Sequence, residues 1–251
     1  MSKSSPKRNL SHKDADGIRL NKYVANAGVC SRRKADEYIA DGLVKVNGEV
    51  ITAMGYKVQR SDVVEYKGKK LVPEKFVYVL LNKPKDFITT SDDPQGRRTV
   101  MNLIAKASDN RLYPVGRLDR NTTGLLLLTN DGELAQKLTH PKFNVNKTYH
   151  VLLDKPCTKN DIIKIGEGLT LEDGFAPVDK VYFMEGASKK EVAIEIHLGR
   201  NRIVRRIFES LGYEVVKLDR VVYAGLTKKD VPRGKWRYLR DREVRMLKYF
   251  T

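Results

Sequence analysis

Two spacings of hydrophobic residues run along the chain and predict two kinds of local structure. The apolar residues from Leu20 to Ala27 recur at intervals of three and four, which predicts one face of a helix. Gly28 follows as a stop for that helix. Ser31 can cap a second helix over the segment RRKADEYIAD, which Gly42 closes. The first part of the chain is therefore predicted to begin with two short helices.

An alternating pattern replaces the helical one after Gly42. In LVKVNGEVI, Val44 and Val46 alternate with polar residues, and Asn47-Gly48 is a strong signal for a hairpin turn. The segment KGKKLVPEK that follows has the composition of a linker. These patterns predict a small helix–helix–hairpin domain over residues 17–70 and a linker over residues 71–76.

From residue 77 onward the pattern predicts a larger domain that reaches residue 251. The segment FVYVLLNKPKDF opens with a buried strand, and the apolar run Leu125–Leu128 predicts a central strand. Further strands are expected in KTYHVLLD and in EVAIEIHLG, where alternation from Val192 to Leu198 predicts one buried face. Helices are expected near residues 100–105, 158–165 and 202–211. The strands outnumber the helices without strict alternation, so the fold class is α+β, with a mixed, mainly antiparallel sheet flanked by helices.

Composition narrows the partners of this protein. The chain has 251 residues with 41% hydrophobic and 31% charged, and its net charge is +17, which favours a polyanion such as nucleic acid as partner. No apolar run approaches the ~20 residues that span a bilayer, and the basic segment 1–16 is expected to be a disordered tail. Two cysteines and four histidines show no ligand spacing, so we expect a cytoplasmic protein without a metal.

Three cations stand where the second predicted helix begins. Arg32, Arg33 and Lys34 occupy its first turn, although the helix macrodipole disfavours positive charge there. Basic side chains and backbone N–H groups at that position can together contact a phosphate. The segment RLNKYVANAGVCSRRKADEYIADGLVKVNGEVI resembles the S4-like RNA-binding domain, whose order of helices and hairpin it shares.

One carboxylate stands out in the larger domain. In VGRLDRNTTGLLLLTNDG, Asp119 lies between Arg117 and Arg120 in a turn directly before the predicted central strand. The two arginines favour the ionised carboxylate, and the strand offers the rigid support that a positioned catalytic group needs. The alternative is a turn cap or a surface ion pair, both of which are common. No phosphate-binding loop, zinc set or nucleophile triad is found elsewhere.

Two longer segments carry a family resemblance. YPVGRLDRNTTGLLLLTNDGELAQKLTHP and LGRNRIVRRIFESLGYEVVKLDRVVYAGL resemble the signature motifs of the RsuA/RluB-type pseudouridine synthases, which isomerise specific uridines in bacterial ribosomal RNA. The S4-like segment precedes them in the order typical of that family. Within it, the chain is most similar to the ribosomal large subunit pseudouridine synthase B group, and a small-subunit target is the rival. The resemblance implies an enzyme that needs no cofactor.

The resemblance also implies four functional residues. The essential aspartate corresponds to Asp119, the tyrosine that lies against the target base to Tyr149, the arginine that pairs with the aspartate to Arg205, and the apolar residue that closes the pocket to Leu218. The family usually has an acid where Thr148 stands, a departure that concerns packing more than chemistry. Core packing is the alternative for Tyr149 and Leu218, and phosphate contact is the alternative for Arg205.

The remaining predictions concern RNA and assembly. The basic residues expected to contact ribosomal RNA are Arg32, Arg33, Lys34, Arg117, Arg120, Arg200, Arg202 and Arg206. No exposed apolar stripe indicates a dimer, so we expect a monomer. The alternative function is a non-catalytic RNA-binding or ribosome-assembly factor. A metal-dependent nuclease would need clustered acids, which the sequence lacks.

Overall fold

The chain divides into two compact units, with the division between Lys75 and Phe76. The computed structural model describes residues 17–249. The predicted basic tail over residues 1–16 lies outside this range. The division falls within the segment that the sequence analysis assigned to a linker, residues 71–76.

The first unit begins with the two predicted helices, α1 (Leu20–Asn26) and α2 (Arg32–Ala40). Gly28 follows α1 with a φ of +76°, a left-handed conformation that costs little without a Cβ atom. The N–H of Lys34 donates to the Ser31 hydroxyl at 3.2 Å, so Ser31 caps α2 as the sequence predicted.

The first unit continues with short strands. They are β1 (Ile18–Arg19), β2 (Val44–Val46), β3 (Glu49–Val50), β4 (Lys57–Val58), β5 (Val64–Tyr66) and β6 (Lys69–Lys70). Four of them pair in the order β3-β2-β5-β6, and β1 pairs with β4. Asn47 and Gly48 both have positive φ, as the predicted two-residue hairpin turn requires. Val44, Val46 and Ile39 pack in the core of this unit.

The second unit is built on a large sheet. Its strands are β7 (Tyr78–Lys83), β8 (Tyr113–Pro114), β9 (Thr123–Thr129), β10 (Lys147–Leu153), β11 (Leu169–Leu171), β12 (Gly174–Ala176), β13 (Lys180–Phe183), β14 (Glu191–Ile196), β15 (Val215–Tyr223), β16 (Leu226–Thr227) and β17 (Trp236–Tyr238). The main path is β13-β14-β10-β15-β9-β7-β17, with β16 beside β15 and β8 beside β9. β11 and β12 form a separate hairpin. Within residues 76–249, the parallel pair in this sheet is β9 with β15, and its other pairs are antiparallel. The predicted α+β class with a mixed, mainly antiparallel sheet is confirmed.

Helices flank this sheet. They are α3 (Val100–Ile104), α4 (Gly132–Thr139), α5 (Lys159–Glu167), α6 (Ile203–Glu209) and α7 (Asp241–Tyr249), with a short 3-10 helix at Pro141–Phe143. The helix predicted over 202–211 is shorter than expected. Arg202 has a φ of +46°, outside the right-handed helical region, so α6 begins one residue later.

Strand β9 lies in the interior of the sheet, as the run of four leucines predicted. Leu125 and Leu127 belong to one core cluster, whereas Leu126 and Leu128 belong to another. Successive side chains of a strand point to opposite faces, and all four leucines are fully buried because both faces are covered. β9 is therefore a rigid support for the loop that precedes it.

Strand β14 differs from its prediction in one respect. Val192, Ile194 and Ile196 are buried as expected, but Ala193 on the other face is buried as well. Within the sheet β14 lies between β13 and β10, and the small side chain of Ala193 is covered on the second face as well. Leu198, which was placed on the buried face, follows the end of the strand and is half-buried.

A glycine, Gly124, stands directly before the apolar run Leu125–Leu128 for a steric reason. A Cβ atom at this position would lie 2.3 Å from the carbonyl oxygen of Arg220, a distance that backbone atoms cannot accommodate. Its φ is +109°. The glycine thus permits the close parallel approach of β9 and β15 directly behind the Asp119 loop.

Candidate active site

Asp119 lies in the loop between β8 and β9, and its side chain is exposed at the edge of a cavity. The loop turns tightly after Asp119, whose carbonyl oxygen accepts from the N–H of Thr122 at 3.1 Å. The loop lies at the surface of the unit, so the carboxylate is open to solvent.

A buried lysine holds the loop from below. Lys83, the last residue of β7, has no exposed surface, and the three N–H groups of its ammonium are shared among four carbonyl oxygens within hydrogen-bond distance. These belong to Pro84 at 3.2 Å, Asp119 at 3.0 Å, Arg120 at 3.2 Å and Thr122 at 2.8 Å. Three of the four acceptors lie in the Asp119 loop, so one side chain fixes its backbone. Burial lowers the pKa of Lys83 to about 8.

Sequence analysis missed Lys83, although a signal was present. Lysine is almost never fully buried unless its charge is compensated, yet this one closes the strand YVLLNK, in which every residue is buried. A charged residue at the end of a buried strand indicates a partner elsewhere in the chain. The identity of that partner, a loop 36 residues away, is not encoded locally.

A second contact fixes the loop on its other side. The Thr89 hydroxyl donates to the carbonyl oxygen of Leu118 at 2.7 Å and accepts from the N–H of Leu118 at 3.2 Å. The N–H of Asp86 donates to the carbonyl oxygen of Arg120 at 3.0 Å. The residues on both sides of Asp119 are thus held by hydrogen bonds, while its carboxylate is left exposed.

The cavity beside Asp119 has a volume of about 270 Å³, close to the lower end of the range for ligand sites. Its walls come from the Asp119 loop, from β10 and β15, and from the segment that leads into α6. Three of the four residues implied by the family resemblance line it: Asp119, Tyr149 and Leu218. The sheet therefore brings together residues that are up to 99 positions apart.

Tyr149 and Leu218 both pack in the core and line the cavity. Tyr149 is 8% exposed and Leu218 is 5% exposed, and both pack in the larger core cluster of this unit. Both also line the cavity. Core packing and contact with a ligand are therefore not mutually exclusive for these two side chains.

Arg205 is buried in α6 but does not line the cavity. Its Nη1 donates to the carbonyl oxygen of Val215 at 2.7 Å, and its buried Nε has no hydrogen-bond partner within the described residues. Burial and the charge of Arg202 lower the pKa of Arg205, whereas the charge of Asp119 raises it. Asp119 thus influences Arg205 electrostatically. Over residues 17–249, however, no ion pair within 4.0 Å links the two side chains.

Two further cations line the cavity, and sequence analysis assigned them no role. Arg220 is 3% exposed, and its Nε donates to the carbonyl oxygen of Leu125 at 2.8 Å. Lys147 donates to the carbonyl oxygens of Val145 at 2.7 Å and His197 at 2.6 Å. Burial, followed by the charge of Arg220, lowers the pKa of Lys147 to about 8.

The basic residues predicted to contact RNA fall into three sets. Arg117, Arg200 and Arg202 line the cavity, whereas Arg120 and Arg206 do not. Several of them already have acidic partners: Arg120 with Asp86 at 3.4 Å, Arg206 with Asp173 at 2.8 Å, Arg200 with Asp173 at 3.5 Å, and Arg202 with Glu209 at 3.5 Å. In the first unit Arg32, Arg33 and Lys34 are exposed, and Lys34 forms an ion pair with Glu37.

Two features of other protein classes are not found in the part of the chain that the structure describes. No group of three or more histidine, cysteine, aspartate or glutamate side chains could hold a metal ion. No helix within residues 17–249 is long and apolar enough to cross a membrane.

Comparison with known proteins adds independent information. The family model of RNA pseudouridylate synthases matches residues 77–210, and that of the S4 domain matches residues 18–64. Ribosomal large subunit pseudouridine synthase B of Bacillus subtilis is 46% identical over 233 residues, which cover 92% of this chain and 95% of that protein. An uncharacterized RNA pseudouridine synthase of Aquifex aeolicus is 40% identical over 92% of this chain and 93% of its own.

A solved structure shows the same similarity. The crystal structure of a pseudouridylate synthase matches with a TM-score of 0.64 and 30% identity, covering 92% of this chain and 99% of that one.

Proposed function

Because the chain belongs to the RNA pseudouridylate synthase family, we propose that it isomerises a specific uridine of large-subunit ribosomal RNA to pseudouridine. The observation that carries this proposal is the cavity in which Asp119 and Tyr149 lie together. The large-subunit target is proposed from the name of the Bacillus subtilis relative.

The reaction needs a positioned carboxylate. It breaks the bond between N1 of uracil and C1′ of ribose, turns the base, and forms a bond from C5 to C1′. Asp119 acts either as a nucleophile at C1′ or as the base that removes a sugar proton, and both routes stay open. Lys83 holds the Asp119 backbone through carbonyl oxygens, so the carboxylate meets the sugar in a defined position.

The base needs a surface on which to turn. Tyr149 lies in the cavity and offers its ring to the detached uracil, a contact typically worth ~1–3 kcal/mol. Leu218 supplies an apolar wall on the same cavity. The target uridine must leave its stack to enter, so base flipping is part of the proposal. The bound RNA then covers the exposed carboxylate of Asp119 and excludes water from it.

Arg205 is proposed to support Asp119 in the RNA complex. Its charge and that of Asp119 already interact, although the two side chains are not in contact. The buried Nε of Arg205 has no partner among residues 17–249 and is available for a hydrogen bond in the RNA complex. In this role Arg205 compensates the carboxylate charge as water is excluded.

The S4 domain is proposed to bind the RNA outside the reacting nucleotide. Arg32 and Arg33 are exposed at the N-terminus of α2, where the backbone N–H groups also favour an anion. Arg117, which is exposed at the rim of the cavity, is proposed to contact the phosphates near the target. The enzyme is proposed to act in the cytoplasm as a monomer, without a cofactor or a metal.

Chemical mapping of pseudouridines in ribosomal RNA tests this function. RNA from a strain that lacks the protein should miss one site of large-subunit RNA, and the wild-type gene should restore it. The Asp119→Asn variant, produced at the same level, should not restore the site. An unchanged pseudouridine map in the deletion strain would exclude the proposed activity and favour a non-catalytic role in ribosome assembly.

A further inference from the structure

Arg220 has hydrogen-bonding capacity that the protein itself does not use. The side chain is 3% exposed, and Nε is its one group with a hydrogen bond, to Leu125, among the described residues. Nη2 is buried without a partner. Buried donors are nearly always paired, and Arg220 lines the cavity, so a molecule bound there is the natural source of the missing acceptor.

Arg220 lies beside the residue proposed to stack on the base. It is paired directly opposite Tyr149 in the β10–β15 ladder, and directly opposed residues of neighbouring strands share one face of the sheet. The guanidinium also lies over the ring of Tyr223, 4.3 Å from its centroid. This packing holds the guanidinium in place next to a base on the ring of Tyr149.

Lys147 adds a second positive charge to the same wall. It precedes Tyr149 by two residues on β10 and lines the cavity with it. Its ammonium group donates to two carbonyl oxygens, which leaves a third N–H. Of the described residues that line the cavity, only Asp119 carries a carboxylate. The lining of the cavity therefore has an excess of positive charge.

We propose that Arg220, assisted by Lys147, stabilises the negative charge that the uracil ring acquires when its bond to ribose breaks. This inference rests on the proposed function of the same cavity. The electron pair of the N1–C1′ bond moves to N1 and spreads onto O2 and O4, where N–H groups can donate to it. After the ring turns, C5 bonds to C1′, C5 loses its proton and N1 gains one. Donors placed where charge develops lower the barrier without reorganisation.

The test compares two RNA substrates that differ by one atom. A large-subunit RNA fragment is assembled by chemical synthesis with either uridine or 5-fluorouridine at the target position alone. Fluorine withdraws electrons, so the 5-fluorouracil anion depends less on the protein for its stability. Since C5 then has no proton to lose, the measured quantity is the loss of the starting nucleoside under single-turnover conditions, by mass spectrometry of digested RNA.

Arg220→Gln should slow the reaction of the uridine substrate more than that of the 5-fluorouridine substrate. We expect loss of uridine to slow by about 100-fold and loss of 5-fluorouridine by only about 10-fold, since the better leaving group needs less help. RNA affinity should stay within about threefold of the wild-type value. Arg220→Lys, which keeps the charge, should recover part of the rate with uridine. Lys147→Met should also slow the loss of uridine more than the loss of 5-fluorouridine, but the difference between the two substrates should be smaller.

Arg233→Gln is the matched control for structural damage. Arg233 also makes side-chain contacts with the sheet, donating to Asn82 at 2.7 Å and to Asp219 at 3.0 Å, but it does not line the Asp119 cavity. Any slowing by this variant should be equal for the two substrates. Thermal unfolding followed by circular dichroism checks that each variant is folded.

Two outcomes would overturn the inference. Equal slowing of both substrates by Arg220→Gln would mean that Arg220 only holds the sheet together. A weaker RNA affinity with a smaller salt dependence, at an unchanged ratio of the two rates, would mean that it contacts a phosphate. Failure of the proposed function itself is distinguishable, because the wild-type enzyme would then leave both RNAs unmodified.

Discussion

The two units place the same kind of residue in opposite surroundings. In the S4 domain, Arg32 and Arg33 are exposed at the start of a helix. In the catalytic unit, Arg205 and Arg220 are buried, and each has a nitrogen without a hydrogen-bond partner in the described part of the chain. An exposed arginine keeps its hydration and attracts phosphates over a distance, whereas a buried one has lost its hydration and must be compensated.

This contrast separates binding from chemistry. The net charge of +17 indicates a polyanionic partner but does not say which cations merely attract RNA. Burial supplies that distinction, because keeping a cation out of water costs free energy that a passive surface residue does not incur. The buried cations Lys83, Arg205 and Arg220 and the half-buried Lys147 all lie in the catalytic unit, near the Asp119 loop or the cavity beside it.

The largest expected effect on the reaction rate comes from replacing the carboxylate of Asp119. Asp119→Asn should lower the single-turnover rate of pseudouridine formation by about 10³-fold or more, because an amide can act neither as the base nor as the nucleophile. RNA affinity, measured by filter binding, should change by no more than a few fold. Retained isomerisation would show that Asp119 is not the catalytic group.

The second largest effect is expected from removing a buried cation, Lys83. Lys83→Met removes the donor to the Asp119 loop and leaves its carbonyl oxygens without that partner. We expect the free energy of unfolding in urea to fall by about 1–3 kcal/mol and kcat to fall by about 10²-fold with little change in KM. Thr89→Val, which removes the other side-chain contact with the loop, should give a smaller effect of the same kind. An unchanged kcat for Lys83→Met would show that the loop holds its position without the lysine.

The role of the exposed arginines is tested by removing two of them from the S4 domain. Arg32→Ala with Arg33→Ala should reduce the slope of log affinity against log salt by about 2, with the single-turnover rate at saturating RNA unchanged. Arg242→Ala with Arg245→Ala removes the same charge from exposed positions on α7 and is the matched control. An equal change in slope for the two double variants would mean that net charge, and not the S4 domain, determines affinity.

The smallest effect is a pH dependence that separates a buried cation from an exposed one. Burial lowers the pKa of Lys83 to about 8, whereas an unfolded chain has the ordinary lysine value of about 10.4. Below pH 8 both states are protonated. Between these two values the unfolded chain binds the additional proton, so this lysine makes the free energy of unfolding rise with pH.

The measurement is the difference in the free energy of unfolding between wild-type protein and Lys83→Met. This difference should rise by at most about 1 kcal/mol per pH unit between about pH 8 and pH 10. Because other titrating groups occur in both proteins, they cancel in the difference. A flat difference across that interval would contradict the lowered pKa.

Much of the fold follows from short-range patterns. The Ser31 cap, the Asn47-Gly48 turn and the interior strand at Leu125–Leu128 are all confirmed, because each depends on residues close together in the chain. The family resemblance is likewise confirmed by the comparisons, since its motifs are contiguous segments. The error at Ala193 arose because alternation alone does not tell whether the second face of a strand is covered.

The candidate site is less accessible to such reasoning. The sequence singled out Asp119 and, through the family motifs, Tyr149, Arg205 and Leu218, and the roles of these residues stay predictions. It indicated a direct pair of Asp119 with Arg205, which does not occur as a contact over residues 17–249. It passed over Lys83, although the buried strand that this lysine ends was a signal, and it passed over Arg220, because an arginine in a strand looks the same in a sequence whether it is buried or exposed.

The sequence by itself thus determined the local elements, the family and the carboxylate on which the chemistry is proposed to depend, since caps, turns and motifs act over a few residues. The tertiary structure decided which distant groups meet. Lys83 reaches a loop 36 residues away, and Arg220 is paired with Tyr149 through strand register. Register, burial and the close approach that Gly124 permits are properties of the assembled sheet. They determine which of the many lysines and arginines are desolvated and lie near the Asp119 cavity.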